Sequence, residues 1–186
     1  LWGAQTQRAL LHFDIGTERL PADMIRAYAR IKRACAIVHG EAGRLDAEQA
    51  AAIVTVCDEL LAGRWDDEFP LSVWNSGSGT PFNMNVNEVI ANRAEEILGG
   101  RRGEYQRVHP LHHMNLHQST NDVFPTALKI AAIDGLHRLE KAIAALQTAF
   151  QTKEQEFAGI VKVGRTQLQD ACPMTLGAEF SAWAEA

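Results

Sequence analysis

Apolar residues recur at alternating spacings of four and three along the second half of the chain, and this pattern constrains the fold more than any other feature. The positions are Ala132, Leu136, Leu139, Ile143, Leu146 and Phe150. The pattern predicts one helix of about 25 residues, about 38 Å long at a rise of 1.5 Å per residue. Because a stripe of this spacing packs against near-parallel helices, we expect a bundle partner and self-association of the chain.

Shorter amphipathic helices precede this long one. The pattern that opens at Pro21 predicts a helix to about residue 40, with Met24, Tyr28, Ile31, Cys35 and Val38 on its apolar face. Asp46 and Gln49 have the spacing of a capping box, and Gly63 ends the helix that they begin. A third helix covers residues 86–97. Since strands and helices do not alternate, the predicted fold class is all-α.

The last part of the chain contains a short extended piece and one more predicted helix. Residues 160–163 suit the extended piece, and Pro173 suits the first turn of a helix with Leu176, Phe180 and Trp183 on one face. The chain begins without Met, and this helical pattern has no end signal. We therefore expect a fragment of a longer protein.

Composition excludes several classes of protein. The 186 residues include 18 basic and 23 acidic side chains, a net charge of −5, which argues against a nucleic-acid partner. No uncharged apolar run approaches the roughly 20 residues of a membrane span, so we expect no membrane partner. Cys35, Cys57 and Cys172 form no C-x-x-C pair, and we expect reduced thiols in a cytoplasmic protein.

Three segments rich in glycine, hydroxyl and amide side chains interrupt the helices. They cover residues 76–85, 118–122 and 164–170. Each lies beside a predicted helix start, where backbone N–H groups and Ser, Thr or Asn side chains favour a bound anion. One such segment alone is most simply an N-cap with its loop. Three of them together predict a pocket for a small carboxylate.

The same three segments resemble motifs of the aspartase/class II fumarase superfamily. The matching residues are Gly77-Ser78-Gly79-Thr80 with Asn83, Asn85, Asn87 and Glu88, then Gln118-Ser119-Thr120-Asn121-Asp122, then Gly164-Arg165-Thr166-Gln167-Leu168-Gln169-Asp170. The resemblance covers essentially the whole chain. It implies an N-terminal lyase domain at residues 1–120 and the start of a central helical bundle domain at residues 121–186. In the family this bundle forms the twenty-helix core of a homotetramer.

The resemblance also implies an activity. Family members form fumarate from a small dicarboxylate by removing a Cβ proton and then ammonia or water, through an aci-carboxylate intermediate. We expect no cofactor and assign no metal ligand. The family's base is a serine on a flexible Gly-Ser-Ser loop that this sequence does not contain, so we expect the chain to be inactive by itself.

Matching the motifs residue by residue assigns the substrate-binding positions. Thr80, Ser119 and Thr120 match residues that bind the carboxylate beside the acidic carbon. Donors placed in advance around that carboxylate stabilise the developing charge by about 3–4 kcal/mol each. Asn121 matches a contact to the leaving group. The resemblance further implies that Ser78 and Asn83 shape the first segment.

The third segment supplies the candidate catalytic residues, Thr166 and Gln167. Thr166 matches a contact to the second carboxylate. Where Gln167 stands, class II fumarases usually have histidine, which can activate water. Glutamine does not titrate, but its carbonyl accepts hydrogen bonds from a substrate ammonium. We therefore predict an aspartate ammonia-lyase. Class II fumarate hydratase is the alternative, and the fumarase-like residues 1–7, 67–70 and 76–80 favour it.

A histidine-rich stretch follows the third helix. His109 with Pro110 matches part of a peripheral carboxylate site of fumarases, although residues 111–117 depart from the family's pattern. His113 and His117 have the spacing of metal ligands on one helix face, but ligand spacing alone is weak evidence. We interpret these histidines as surface or interface residues.

Three other classes of protein remain as alternatives. A non-catalytic structural derivative of this fold would keep the apolar stripes but would not need the polar donors. An argininosuccinate- or adenylosuccinate-type lyase would differ around the third segment. A helical protein-interaction domain would need only the apolar stripes and not the polar segments.

Overall fold

The computed structural model describes residues 1–186 and is mainly helical. The helices are α1 (Ala4–His12), α2 (Ala22–Glu41), α3 (Ala47–Leu61), α4 (Thr80–Ile97), α5 (Thr120–Glu156) and α6 (Leu176–Glu185), with a 3₁₀ turn at Asp66–Glu68. The strands β1 (Val161–Thr166) and β2 (Gln169–Thr175) form one antiparallel hairpin. The predicted all-α class is confirmed, with this small hairpin as the exception.

The chain divides into two compact units, Leu1–Ile133 and Asp134–Ala186, and α5 runs through both. In the first unit α2 packs along α3, and α4 packs against α3 and α1. Buried Tyr28 and Phe82 meet edge to face, with their ring centroids 5.2 Å apart. Burial of a large apolar side chain of this kind contributes about 1.5–3 kcal/mol. The core of this unit therefore lies where α2, α3 and α4 meet.

The predicted capping box of α3 is present. The side chain of Asp46 accepts from the backbone of Gln49, and the Asp46 N–H donates to Gln49 Oε1 over 3.1 Å. Gly63 follows the helix with φ +85°, a conformation that glycine adopts without steric cost. The capping box and the glycine therefore predicted both ends of this helix from neighbouring residues alone.

The apolar face predicted for α2 is confirmed only in part. Met24 and Tyr28 are buried, but Val38 is 59% exposed. The buried face instead includes Lys32, which is 1% exposed. Helix periodicity alone places Lys32 one turn after Tyr28 and one turn before Ala36.

The second unit contains the hairpin, α6 and the C-terminal part of α5. Aromatic rings join the two helices: the ring centroid of Phe150 lies 6.0 Å from that of Phe180 and 6.0 Å from that of Trp183. Gly177 allows this approach, since a Cβ there would lie 2.5 Å from the Glu154 carbonyl oxygen. Close helix contact is the physical reason for glycine at this position.

The predicted apolar stripe of the long helix is largely exposed. Leu136, Leu139, Ile143 and Leu146 are each more than half exposed. A row of exposed leucine and isoleucine side chains marks an interaction surface. None of the helices combines the length and the apolar character that a membrane crossing requires.

Three predicted helix starts are wrong. The helix predicted over residues 86–97 begins six residues earlier, at Thr80, because Pro81 suits the first turn of a helix. Pro173 lies in β2, opposite Val163, and α6 begins only after Thr175, whose Oγ1 accepts from Ala178 N over 3.1 Å. Cross-strand pairing here outweighs the preference of proline for a first helical turn. The long helix α5 begins at Thr120 and has 37 residues, so it starts well before the helix of about 25 residues that the stripe predicts. Pro125 removes only one helical hydrogen bond, and the buried neighbours Val123 and Ala127 hold this turn in place.

Candidate functional site

The first polar segment forms a chain of hydroxyl groups at the start of α4. Ser76 Oγ lies 2.9 Å from Ser78 Oγ, and Ser78 Oγ lies 3.1 Å from Thr80 Oγ1. Thr80 is the first residue of α4, and both Ser78 and Thr80 are exposed. The first backbone N–H groups of a helix have no partner inside it, so these hydroxyls adjoin free donors. This arrangement suits an anion.

Gly79 brings the first segment against the second. It precedes α4 with φ +71°, and a Cβ built on it would lie 2.2 Å from a ring carbon of Phe124. Phe124 is in the second turn of α5, which begins at Thr120. Any larger residue at position 79 would displace this ring. The starts of α4 and α5 are therefore adjacent because glycine stands between them.

The second segment provides the start of α5. Ser119 Oγ accepts from Asn121 N over 3.2 Å, and the Ser119 carbonyl accepts from the backbone of Asp122 and Val123. Ser119 and Asn121 are exposed, and Thr120 is half-buried. All three predicted substrate-binding residues of this segment thus lie at a helix N-terminus. The first segment likewise lies at the N-terminus of α4.

An amide network lies behind these two helix starts. Asn115 Oδ1 accepts from Asn83 Nδ2 over 3.1 Å and from Asn87 Nδ2 over 3.3 Å. Asn115 Nδ2 donates to the Gln118 carbonyl over 3.0 Å. Asn83 is 2% exposed, and its Oδ1 has no hydrogen-bond partner. Asn83 is therefore a buried member of the network behind the two helix starts, and its role in shaping the first segment stays a prediction.

Two residues of α1 face the hydroxyl chain. Arg8 and His12 line a surface groove of about 330 Å³ together with Ser76, Ser78 and Thr80. Arg8 lies in no recognisable motif, and residues 1–12 show no clear apolar periodicity, so the sequence did not indicate a role for it. Their spacing of four on a helix would have placed them on one face. A groove lined by a guanidinium and three hydroxyls can hold a carboxylate.

The carboxylate of Glu88, which lies on α4, holds the start of α1 against that helix. It accepts from Gly3 N over 2.9 Å, from Gln5 N over 2.8 Å and from Thr6 Oγ1 over 2.5 Å. Glu88 is buried on α4, the helix that begins at Thr80. A carboxylate at a helix N-terminus is stabilised by the helix dipole. The groove between α1 and α4 therefore has a rigid base.

The third segment forms the turn of the hairpin in the second unit. Thr166 and Gln169 pair across it, so Gln167 and Leu168 make a two-residue turn. The prediction that this segment adjoins a helix start is wrong, because β2 follows it directly. Both turn residues have positive φ, +48° for Gln167 and +63° for Leu168.

That turn carries backbone strain. Left-handed backbone costs a non-glycine residue about 1–2 kcal/mol, and hairpin turns of this kind usually contain Asn or Gly. Thr166, Gln167 and Leu168 are exposed, and the flanking ion pair between Arg165 and Asp170 is exposed as well. Strain of this kind clusters at functional sites.

The histidine-rich stretch is a series of turns and not a helix, so the expected i, i+4 face of His113 and His117 does not exist. His109 Nδ1 accepts from Leu111 N over 3.1 Å and from His112 N over 3.3 Å. His113 Nδ1 accepts from His109 N over 2.8 Å. Both rings therefore carry their proton on Nε2 when neutral.

Burial lowers the pKa of His109 and of His113, and the neighbouring His112 lowers both further. No group of three or more His, Cys, Asp or Glu side chains is placed to hold a metal ion. The backbone contacts occupy Nδ1 of His109, which leaves only Nε2 for a ligand at the predicted peripheral site.

Comparison with curated proteins gives close relatives. A family model described as "Lyase" matches residues 1–186. The chain is 56% identical to fumarate hydratase class II of Chromobacterium violaceum over 185 residues, which are 99% of this chain and 40% of that protein. It is 55% identical to the fumarate hydratase class II of Nitrosomonas europaea over 184 residues, again 40% of that protein. The chain thus spans about 40% of the length of these relatives.

Solved structures share this fold. A fumarate lyase:delta crystallin from Brucella melitensis matches with a TM-score of 0.95 and 44% identity, over 99% of this chain and 43% of that chain. A recombinant class II fumarase from Schistosoma mansoni matches with a TM-score of 0.91 and 40% identity, over 99% of this chain and 39% of that one. Three of these four proteins are named as class II fumarases, and none of the four is named an aspartase.

Proposed function

The chain belongs to the lyase family whose model matches residues 1–186, and from this premise we propose that the complete protein is a fumarate-forming lyase, specifically a class II fumarate hydratase. Such an enzyme interconverts malate and fumarate by removing or adding water. The relatives at 55–56% identity support the hydratase. They do not support the aspartate ammonia-lyase, which was the first prediction because of Gln167.

The observation that carries this proposal is the junction of the first two polar segments at Gly79 and Phe124. It sets the hydroxyls of Thr80 and Ser119 at two adjacent helix N-termini. Removing a Cβ proton from malate puts negative charge onto the neighbouring carboxylate. Neutral donors and helix dipoles fixed beforehand stabilise that charge without reorganising. In this proposal Thr80, Ser119 and Thr120 bind the carboxylate, and Asn121 contacts the leaving hydroxyl.

The hairpin turn is proposed to serve the second carboxylate. Thr166 offers a hydroxyl there, and Gln167 an amide that can orient the water. The strained and exposed turn supports such a role, because stability alone does not explain it. In the family that the sequence resembles, each active site is assembled from several subunits and the base is a serine on another loop. We therefore propose that residues 1–186 alone turn over neither substrate.

The exposed stripe of α5 supports a homo-oligomer, proposed here as the family's tetramer. Leu136, Leu139 and Ile143 would lie between copies of the chain. In the same proposal residues 1–120 are the N-terminal lyase domain and residues 121–186 begin the bundle domain. All three cysteines are free, which supports a reducing compartment such as the cytoplasm.

A second candidate, aspartate ammonia-lyase, is favoured by one specific observation. Gln167 stands exposed at the hairpin turn, and its amide oxygen can accept from a substrate ammonium. Assaying the complete protein separately with L-malate and L-aspartate, by the ultraviolet absorbance of fumarate, decides between the two. We expect fumarate from malate. Fumarate from aspartate alone would reverse the order, and fumarate from neither would refute both.

A further inference from the structure

A lysine ammonium is buried directly beneath the start of α5. Lys32 lies on α2 and is 1% exposed. Its Nζ donates to Gln118 Oε1 over 2.9 Å and to the Met114 carbonyl over 3.2 Å. Both acceptors are neutral, so the charge has no carboxylate at hydrogen-bond distance.

A buried charge without an opposite charge lowers the free energy of unfolding. Burial lowers the pKa of Lys32 to about 8, so the ammonium is the main form at neutral pH. A cation beside the N-terminus of a helix is also opposed by the helix dipole. Stability alone therefore does not account for a lysine at this position.

The loop before α5 closes around this ammonium. Gln118 Nε2 donates to the carbonyls of Met114 and Leu116 over 3.0 and 3.3 Å. Asn115 Nδ2 donates to the Gln118 carbonyl, and Asn115 Oδ1 accepts from the amide of Asn83. Lys32 thus binds the residue directly before Ser119 and joins the network that supports α4.

We propose that Lys32 is a positioning residue that fixes Gln118, and through it the Ser119-Thr120-Asn121 segment, while adding positive charge behind the anion site. This inference rests on the proposed function, because the segment is assigned there to the substrate. An anionic substrate gains from a fixed cation close to the binding hydroxyls, although Lys32 does not touch it. The buried charge lowers the free energy of unfolding, but it holds the binding segment in place before the substrate arrives.

The test compares two variants of the complete protein. Lys32→Met removes the charge and its hydrogen bonds but keeps an unbranched side chain. Tyr28→Phe is the matched control, since Tyr28 is buried one turn earlier on α2 and its hydroxyl has no partner. We expect Lys32→Met to lower kcat with malate at least tenfold, to raise KM less, and to leave Tm unchanged or higher. Tyr28→Phe is expected to keep kcat within about twofold.

A readout without activity separates this inference from the proposed function. Amide hydrogen exchange in residues 115–123 is expected to be faster in Lys32→Met than in the parent, with no change in Tyr28→Phe. If the parent forms fumarate from neither substrate, the proposed function fails, and exchange still decides whether Lys32 positions the segment. Unchanged exchange in Lys32→Met overturns the positioning role. A parallel loss of Tm and kcat would reduce Lys32 to a merely structural residue and would overturn it as well.

The pH dependence gives an independent readout. The titratable groups that face Lys32 are Cys35 and His39 on its own helix, Cys57 on α3, and His113 in the loop before α5. Loss of the ammonium proton as the pH rises through about 8 is expected to lower kcat in the parent. Lys32→Met is expected to lack this step. If both proteins show the same alkaline step, the charge has no part in positioning.

Discussion

The aromatic ring of Phe124 occupies the place that a side chain at Gly79 would need. A Cβ at position 79 would lie 2.2 Å from a ring carbon, well inside van der Waals contact. The two residues are far apart in sequence, yet their contact sets the start of α4 against the start of α5. The proposed carboxylate site relies on this contact together with the amide network of Asn83 and Asn115, because both bring the two helix N-termini together.

Replacing Gly79 with alanine is therefore expected to destabilise the protein. The strain of φ +71° costs about 1–2 kcal/mol, and displacement of the Phe124 ring adds about 1–3 kcal/mol. Denaturant unfolding measures the difference. Gly77→Ala is the matched control, since a Cβ at Gly77 meets no atom within 4 Å. Equal stability of the two variants would contradict the close contact.

Thr80→Val tests the proposed carboxylate site directly. The substitution removes one hydroxyl from the chain that joins Ser76, Ser78 and Thr80 but keeps the shape of the side chain. Loss of one donor to the developing charge is expected to lower kcat with malate about 100-fold. Thr55→Val is the control, because this exposed α3 hydroxyl bonds only to the Ala51 carbonyl. A Thr80→Val enzyme with the kcat of the parent would remove Thr80 from the site.

Thr166→Ala tests the role proposed for the hairpin turn. We expect kcat/KM with malate to fall more than tenfold, since a contact to the second carboxylate is lost. Gln169→Ala, at the exposed partner across the turn, is expected to have little effect. Steady-state kinetics of the complete protein measures both. Similar losses in the two variants would indicate damage to the hairpin and not loss of a substrate contact.

The histidine loop is expected to make stability pH-dependent. The pKa of His109 and of His113 is lowered below 6.5 by burial and by His112, so the unfolded chain binds these protons first. Their contribution to the free energy of unfolding is therefore complete above pH 6.5 and is lost as the pH falls through the lowered values. Protonation of either Nδ1 also removes an acceptor of backbone N–H groups.

Unfolding midpoints at about pH 7.5 and 5.5 measure this effect in a window above the carboxylate pKa values. His113→Gln keeps an acceptor that does not titrate, so its midpoint is expected to fall less between the two pH values. His137→Gln, at an exposed histidine on α5, is expected to behave as the parent. An equal fall in all three proteins would show that the loop histidines do not control acid stability.

The amino-acid sequence by itself determined most of the helices and the family, but it indicated neither α1 nor the starts of α4 and α5. The capping box of Asp46 and Gln49, the glycine after α3 and the stripe of α5 are signals between neighbouring residues, so they do not depend on the rest of the fold. The three polar segments identified the superfamily in the same way. Local preference failed at Pro173, where pairing across the hairpin prevailed.

Only the tertiary structure decided which side chains surround the candidate site. Arg8 joins the hydroxyl groove because Glu88 holds α1 in place, and Lys32 reaches Gln118 because α2 packs beneath the loop before α5. Neither contact can be recognised from a periodic pattern in the sequence, because the two residues in each contact lie far apart along the chain with no regular spacing. Packing fixes such distances through the shape of the whole core, and local propensity carries no information about them.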